Sequence, residues 1–307
     1  MKSKLFLLKT KIKAFLILSI IILNQNAISS TLSNETDAET NISQFTITSW
    51  LKIATSQTIT LKTTYGDVVL ALHPTLAPKH VARFKKLINE GFYNEQYFYR
   101  VVDGFVAQAG SNDNHDLAKF DKALLSNIEA EFTQPLSSNT TIIESDDMFA
   151  PYTGFLDGFP VGIDKERSEM WGLHCPGTVA FARNSEKDTA STEFYIVIGQ
   201  APRHLDRNMS VVGRVVEGME VLQKLPRGDK AIGGVIEELT RESIIKQAFI
   251  HSDAVAPYYV QLPSHEEYQK RINTGKNLDN PFFHDNSYGP RPIDVCYYQT
   301  KATQKLQ

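Results

Sequence analysis

The chain has 307 residues, 32 basic and 35 acidic, for a formal net charge of −3. Hydrophobic residues make up 42% and charged residues 22%, which excludes a disordered chain and leaves room for a large core. A slightly acidic balance gives no general electrostatic reason to bind nucleic acid or an anionic membrane.

Residues 1–13 hold five lysines and no acid, residues 14–23 are mostly aliphatic with one serine, and Ala27-Ile28-Ser29 follows. This order is that of a secretory signal peptide spanning residues 1–29. The apolar run is far short of the ~20 residues that cross a bilayer. A retained anchor is the alternative, and an uncleaved signal is the only membrane contact expected. Cleavage leaves 27 basic against 35 acidic residues, a charge of about −8. Residues 30–57, rich in Ser, Thr, Asn and acids, read as a flexible lead-in, with an added strand or turn near Trp50. A signal ahead of one folding domain suits a bacterial periplasm. The sequons at Asn34, Asn41, Asn139 and Asn208 would matter only in a eukaryotic secretory route.

The main domain is expected over residues 58–252. Residues 59–63 and 68–72 alternate about a Tyr65-Gly66-Asp67 turn and read as a hairpin. Ala77-Pro78 opens a helix with Val81, Phe84, Leu87 and Ile88 as its apolar stripe, and Gly91 ends it. Residues 98–108 form two strands about Asp103-Gly104. Strict alternation puts Phe98 and Arg100 on one face, and Val106 and Gln108 on one face. An arginine on so apolar a strand is either paired structurally or set into a pocket that needs a fixed cation, because an unpaired buried charge is costly.

Residues 111–175 read as an insertion-rich loop region, with one ordered segment at 128–132 and a turn-rich stretch at 137–167. Strands follow at 176–183, 191–199 and 211–216. Along 193–198, Glu193, Tyr195 and Val197 face one way, and Phe194, Ile196 and Ile198 the other. A second helix is expected over 217–225 and a last strand over 243–250. Residues 253–307 form an appendage, with a helix from Ser264-His265-Glu266-Glu267 to about Asn273 and a strand over 292–298. Cys175 and Cys296 either form a disulfide stapling this tail to the core or stand as two buried thiols. His174 beside Cys175 gives no dyad signal. Many short strands without strand–helix alternation argue for an antiparallel barrel or sandwich with helical caps.

Four blocks together resemble the cyclophilin family of peptidyl-prolyl isomerases. They are Phe98-Tyr99-Arg100-Val101-Val102-Asp103-Gly104-Phe105-Val106-Ala107-Gln108-Ala109-Gly110; Pro176-Gly177-Thr178-Val179-Ala180-Phe181-Ala182; Ser191-Thr192-Glu193-Phe194-Tyr195-Ile196; and His204-Leu205-Asp206 with Val211-Val212-Gly213-Arg214-Val215. The resemblance covers residues 58 to about 252. It implies a mainly β fold, an eight-stranded antiparallel barrel capped by two helices. It also implies Arg100 as the catalytic residue, with Phe105 and Gln108 beside it. The substrate would bind at Val106, Ala182, Glu193, Tyr195, His204 and Leu205. Proline-containing polypeptides are the implied substrates, and neither metal nor cofactor is called for. The chain departs from the common family pattern at Tyr99 (histidine), Glu193 (glutamine), Tyr195 (phenylalanine), His204 (the tryptophan bound by cyclosporin) and, by a loose alignment, Met209 (histidine). Weak inhibition by cyclosporin is therefore expected. A non-catalytic module that holds proline-bearing peptides is the rival reading. Oligomeric state has no sequence signal.

Overall fold

The structure, a computed structural model, describes residues 49–111, 115–287 and 289–306. The chain divides into two units, 1–49 and Trp50–Gln307, and everything below belongs to the second. The expected signal peptide and most of the lead-in lie outside the described residues.

Eight strands close an antiparallel barrel. Their order is Thr178–Phe181, Phe194–Val197, Val106–Gly110, Gln96–Val101, Ile244–Ile250, Thr58–Thr63, Asp67–Leu72 and Val211–Glu217, which returns to the first. Closure removes every free sheet edge. The interior is filled by Ile59, Leu61, Leu70, Phe98, Phe181 and Phe194 among others, all 1% exposed or less. The helix Pro78–Asn89, with proline at its first position, covers this core through Val81, Phe84, Leu87 and Ile88. Its first amides donate to the Glu131 carboxylate, from Lys79 N and His80 N at 3.0 Å each. The His80 ring adds a 2.7 Å contact. The segment near residue 130 is thus ordered because it supplies the acid that the helix N-terminus lacks. Burial alone would raise the Glu131 carboxyl, but these hydrogen bonds outweigh it and hold it below the ordinary value.

The expected second helix over 217–225 is a single turn, Met219–Leu222. The strand before it continues through Glu217 and Gly218 follows in the left-handed region, so the helix begins only at Met219. The barrel is therefore capped by one long helix and one short turn.

The stretch read as turn-rich loop is a second sheet. Thr140–Asp147, Ala150–Leu156, Phe159–Asp164, Glu169–Gly172 and Gln134–Pro135 pair in that order, all antiparallel. Two of the glycines that signalled turns sit inside strands because backbone or indole presses on them. A Cβ on Gly154 would come within 2.0 Å of the Thr141 carbonyl, and one on Gly162 within 2.4 Å of the Trp171 ring. One face of this sheet, with Leu156, Phe159, Val161, Ile163 and Met170, packs on outward-facing barrel residues. The other, with Phe155 and Trp171, packs on the appendage.

The appendage helix runs over Glu266–Asn277, longer than expected, with His265 rather than Ser264 as its cap. Tyr268 and Ile272 bury its inner face. Tyr259–Gln261 pairs with Trp50–Lys52 on one side and Ala302–Thr303 on the other. The expected strand over 292–298 is instead a turn, in which the Asp294 carboxylate accepts from Cys296 N at 2.8 Å. The turn brings Cys296 to Cys175, and the two form a disulfide across 121 residues. A buried cation, Arg214, ties three parts together. Its guanidinium donates to the Gly158 carbonyl at 3.2 Å, Thr300 Oγ1 at 3.1 Å and the Thr300 carbonyl at 2.9 Å. Burial lowers its pKa to about 10.

Two outcomes test this scaffold. A loop this long predicts that Cys296→Ser costs on the order of 4–5 kcal/mol in denaturant unfolding, and that reductant moves the wild type alone. The low Glu131 pKa gives stability that is present above the ordinary carboxyl range and lost as pH falls through the folded value. Glu131→Gln should therefore flatten the acid side of the unfolding midpoint against pH.

Candidate active site

The arginine strand carries one extra residue. Phe98 pairs with Ala109 and Arg100 with Gln108, so the register slips by one at Tyr99. Such a bulge breaks the alternation of faces. Phe98 points into the barrel and is fully buried, while Arg100 lies in register with Gln108 on the opposite face. The expectation that Phe98 and Arg100 share a face is corrected here, and the bulge is the reason.

Arg100 starts a row of register partners that crosses five strands: Arg100, Gln108, Tyr195, Ala180 and Val211. Partners in register point to the same side of a sheet. Val106, Ala180, Tyr195, Val197 and Val211 are buried here in one apolar cluster, with Phe105, Ala182, Leu205 and Met209 half-buried against it. The alternation expected for residues 193–198 is the one found: Phe194, Ile196 and Ile198 belong to the interior cluster instead. His204 is exposed, and its ring stacks on Phe105 at 6.2 Å between centroids and 19° between planes.

Arg100 is half-buried. Its Nε donates to the Gly233 carbonyl at 2.8 Å and its Nη1 to Gln108 Oε1 at 3.2 Å. Among the described residues no carboxylate lies within ion-pair distance of it. The charge is aimed by neutral acceptors and remains available. The loop supplying Gly233 also pairs with the strand itself, through Val101 N to the Gly234 carbonyl at 2.8 Å and Ile236 N to the Tyr99 carbonyl at 2.8 Å.

Behind Arg100 runs a chain of hydrogen bonds. Gln108 Nε2 donates to Tyr99 Oη at 2.6 Å, and Tyr99 Oη donates to Glu193 Oε2 at 2.7 Å. The other Glu193 oxygen accepts from Ser111 N at 2.8 Å, Ser111 Oγ at 3.3 Å and Thr192 Oγ1 at 3.2 Å. The carboxylate lies over Gly110, where any Cβ would fall 2.1 Å from it. Both oxygens of the Glu193 carboxylate, a residue expected to bind substrate, thus accept hydrogen bonds from within the protein. Burial pushes its carboxyl above the ordinary value, and the hydrogen bonds offset this only in part. Burial and then the Glu193 charge push the Tyr99 hydroxyl well up, so it stays a donor. With both Tyr99 bonds assigned, the Gln108 amide has one orientation: nitrogen toward Tyr99, oxygen toward Arg100.

Sequence reasoning missed Gly233 and His174. His174 Nε2 meets Tyr195 Oη at 2.8 Å, and its Nδ1 meets Asp206 Oδ1 at 3.0 Å. The ring therefore fixes the Tyr195 hydroxyl. Neither residue carries a local signal, since each acts through a contact made only by the closed barrel.

Comparison with known proteins bears on the same residues. A family model described as cyclophilin type peptidyl-prolyl cis-trans isomerase matches residues 58–247. The probable peptidyl-prolyl cis-trans isomerase of Brucella suis biovar 1 (strain 1330) is 33% identical over 197 residues, covering 64% of this chain and 83% of that one. Peptidyl-prolyl cis-trans isomerase CYP23 of Arabidopsis thaliana is 30% identical over 170 residues, covering 55% and 60%. The crystal structure of the cyclophilin AquaCyp293 from Hirschia baltica is similar with a TM-score of 0.64 at 26% identity, covering 83% of this chain and 92% of that one. The family match begins at the first barrel strand and runs into the last, over more than half of the chain: the chain belongs to the cyclophilin-type peptidyl-prolyl cis-trans isomerase family.

Proposed function

We propose that the protein accelerates rotation about X-Pro bonds in exported polypeptides, with Arg100 stabilising the twisted transition state. The observation that carries this is the half-buried guanidinium held by Gly233 and Gln108, without an ion-pair partner among the described residues, beside an apolar floor.

Rotation breaks amide conjugation across a barrier of about 18–20 kcal/mol. In the twisted state the prolyl nitrogen regains a lone pair. A fixed guanidinium hydrogen can bond that lone pair and bonds the planar amide poorly, which is differential transition-state binding. Two of Arg100's donors are committed and the others remain to face substrate. Phe105, Val106, Ala182, Tyr195 and Leu205 would hold the pyrrolidine ring, and His204 would extend the wall over Phe105. No proton is transferred and no covalent bond breaks. The cleavable-looking N-terminus and the disulfide support an oxidising, extracytoplasmic site of action, the periplasm in a bacterial source.

Arg100→Ala should lower isomerisation of a proline test peptide ~10²–10³-fold, the worth of one preorganised donor, with unfolding unchanged. Peptide binding without acceleration by the wild type would select the non-catalytic module instead. Tyr99→Phe removes the hydroxyl that orients Gln108 and should cost on the order of 1–2 kcal/mol, about 5–30-fold in kcat/KM. The raised Glu193 pKa makes its buried carboxylate a burden that lightens as pH falls toward the folded value. Stability should thus rise on mild acidification, and Glu193→Gln should abolish that rise. Fractionation of cells expressing the full chain, with mass measurement of its N-terminus, tests export and cleavage after residue 29.

A further inference from the structure

A groove of about 740 Å³ opens where the tip of the hairpin between Thr140–Asp147 and Ala150–Leu156 approaches the C-terminal turn. Its rim carries three large apolar side chains that the fold leaves in solvent: Met148 at 87% exposed, Phe149 at 49% and Tyr297 at 80%. Pro176, Ala201 and Cys296 are also in its lining. No part of the chain described here covers it.

We propose that this groove is a second substrate subsite, taking an aromatic or aliphatic side chain of the same polypeptide whose proline occupies the Arg100 pocket. The inference rests on the isomerase reading above and names the substrate class that reading leaves open: an extended, apolar stretch of unfolded chain around the proline.

Three observations carry it. The first is continuity. The short turn Arg203–Leu205 lies between the two cavities. Leu205 packs in the pocket cluster, His204 stacks on Phe105, and Arg203 with Ala201 lines the groove. Ala201 and His204 belong to the same tight turn, so a side chain within a few positions of the proline reaches the groove.

The second is rigidity. Arg203 binds Asp147 of the hairpin at 2.9 Å and Asp206 at 2.5 Å, and its guanidinium lies over the Phe149 ring at 5.3 Å. On the other side the disulfide holds the Tyr297 turn. The exposed apolar groups are therefore presented on a fixed frame, which lowers the ordering cost of binding.

The third is charge. Arg203 and Asp147 satisfy each other, and Asp294 caps its own turn through Cys296 N. The charged groups at the rim are engaged within the protein, which favours a neutral apolar occupant over a charged one.

The test uses the mature, disulfide-bonded chain. Turnover and binding are measured for a short proline peptide and for longer ones that carry a phenylalanine at successive positions up to six residues from the proline on either side. Met148→Ser and Tyr297→Ser are the variants, since both side chains are mostly exposed and carry no core packing. The wild type should favour one placement about tenfold over the short peptide, as for one partly buried apolar side chain. Each variant should lose most of that gain while handling the short peptide normally. Equal handling of all placements, or a gain that survives both substitutions, overturns the subsite. Those outcomes leave the isomerase reading intact if Arg100→Ala still lowers turnover of the short peptide ~10²–10³-fold. If the wild type does not turn over the short peptide, the isomerase reading fails, and the binding series alone decides the groove.

Discussion

One extra residue in a strand decides where the charge goes. In an unbroken strand Arg100 would follow Phe98 into the barrel, where a guanidinium among phenylalanines would have no partner. The bulge at Tyr99 turns it outward without opening the barrel. It also leaves Tyr99 beside Arg100, where its hydroxyl can bridge Gln108 and Glu193. The site therefore depends on a register slip: the same insertion that frees the cation supplies the group that orients its neighbour.

The barrel has a second requirement. Its outer face around Tyr195 and Val211 is apolar, and water cannot satisfy it. The inserted sheet covers much of that face with Leu156, Phe159, Val161 and Met170. Phe105, Ala182, Leu205 and Met209 are among the residues left half-buried against it. The row beside Arg100 and the insertion thus belong to a single apolar cluster. The insertion's own outer face is in turn covered by the helix Glu266–Asn277 and the C-terminal turn. This layering explains why the chain continues so far past the last barrel strand.

Much of the site was legible from residue order. Asp103-Gly104 forms the turn expected of it, and alternation placed Tyr195 and Val197 opposite Phe194 and Ile196. Spacing alone also put Val106 and Gln108 together. The bulge was not legible, because nothing in Phe98-Tyr99-Arg100 distinguishes a slipped register from a regular one. The inserted sheet was hidden by Gly154, Pro160 and Gly162, which read as turns until the neighbouring strand and Trp171 are in place. The segment over 292–298 alternates like a strand, but its Ile293 and Val295 are buried against the helix, and among the described residues no strand pairs with it. Gly233 and His174 act only across the closed structure, so the linear order held no trace of their roles.

The disulfide has a bearing on how the molecule is made. Cys175 leaves the ribosome well before its partner, 121 residues further on. With two cysteines there is one possible intramolecular pairing. A newly made molecule therefore has no mispaired isomer to escape and needs an oxidant but no reshuffling, and the bond can close only after synthesis has passed Cys296.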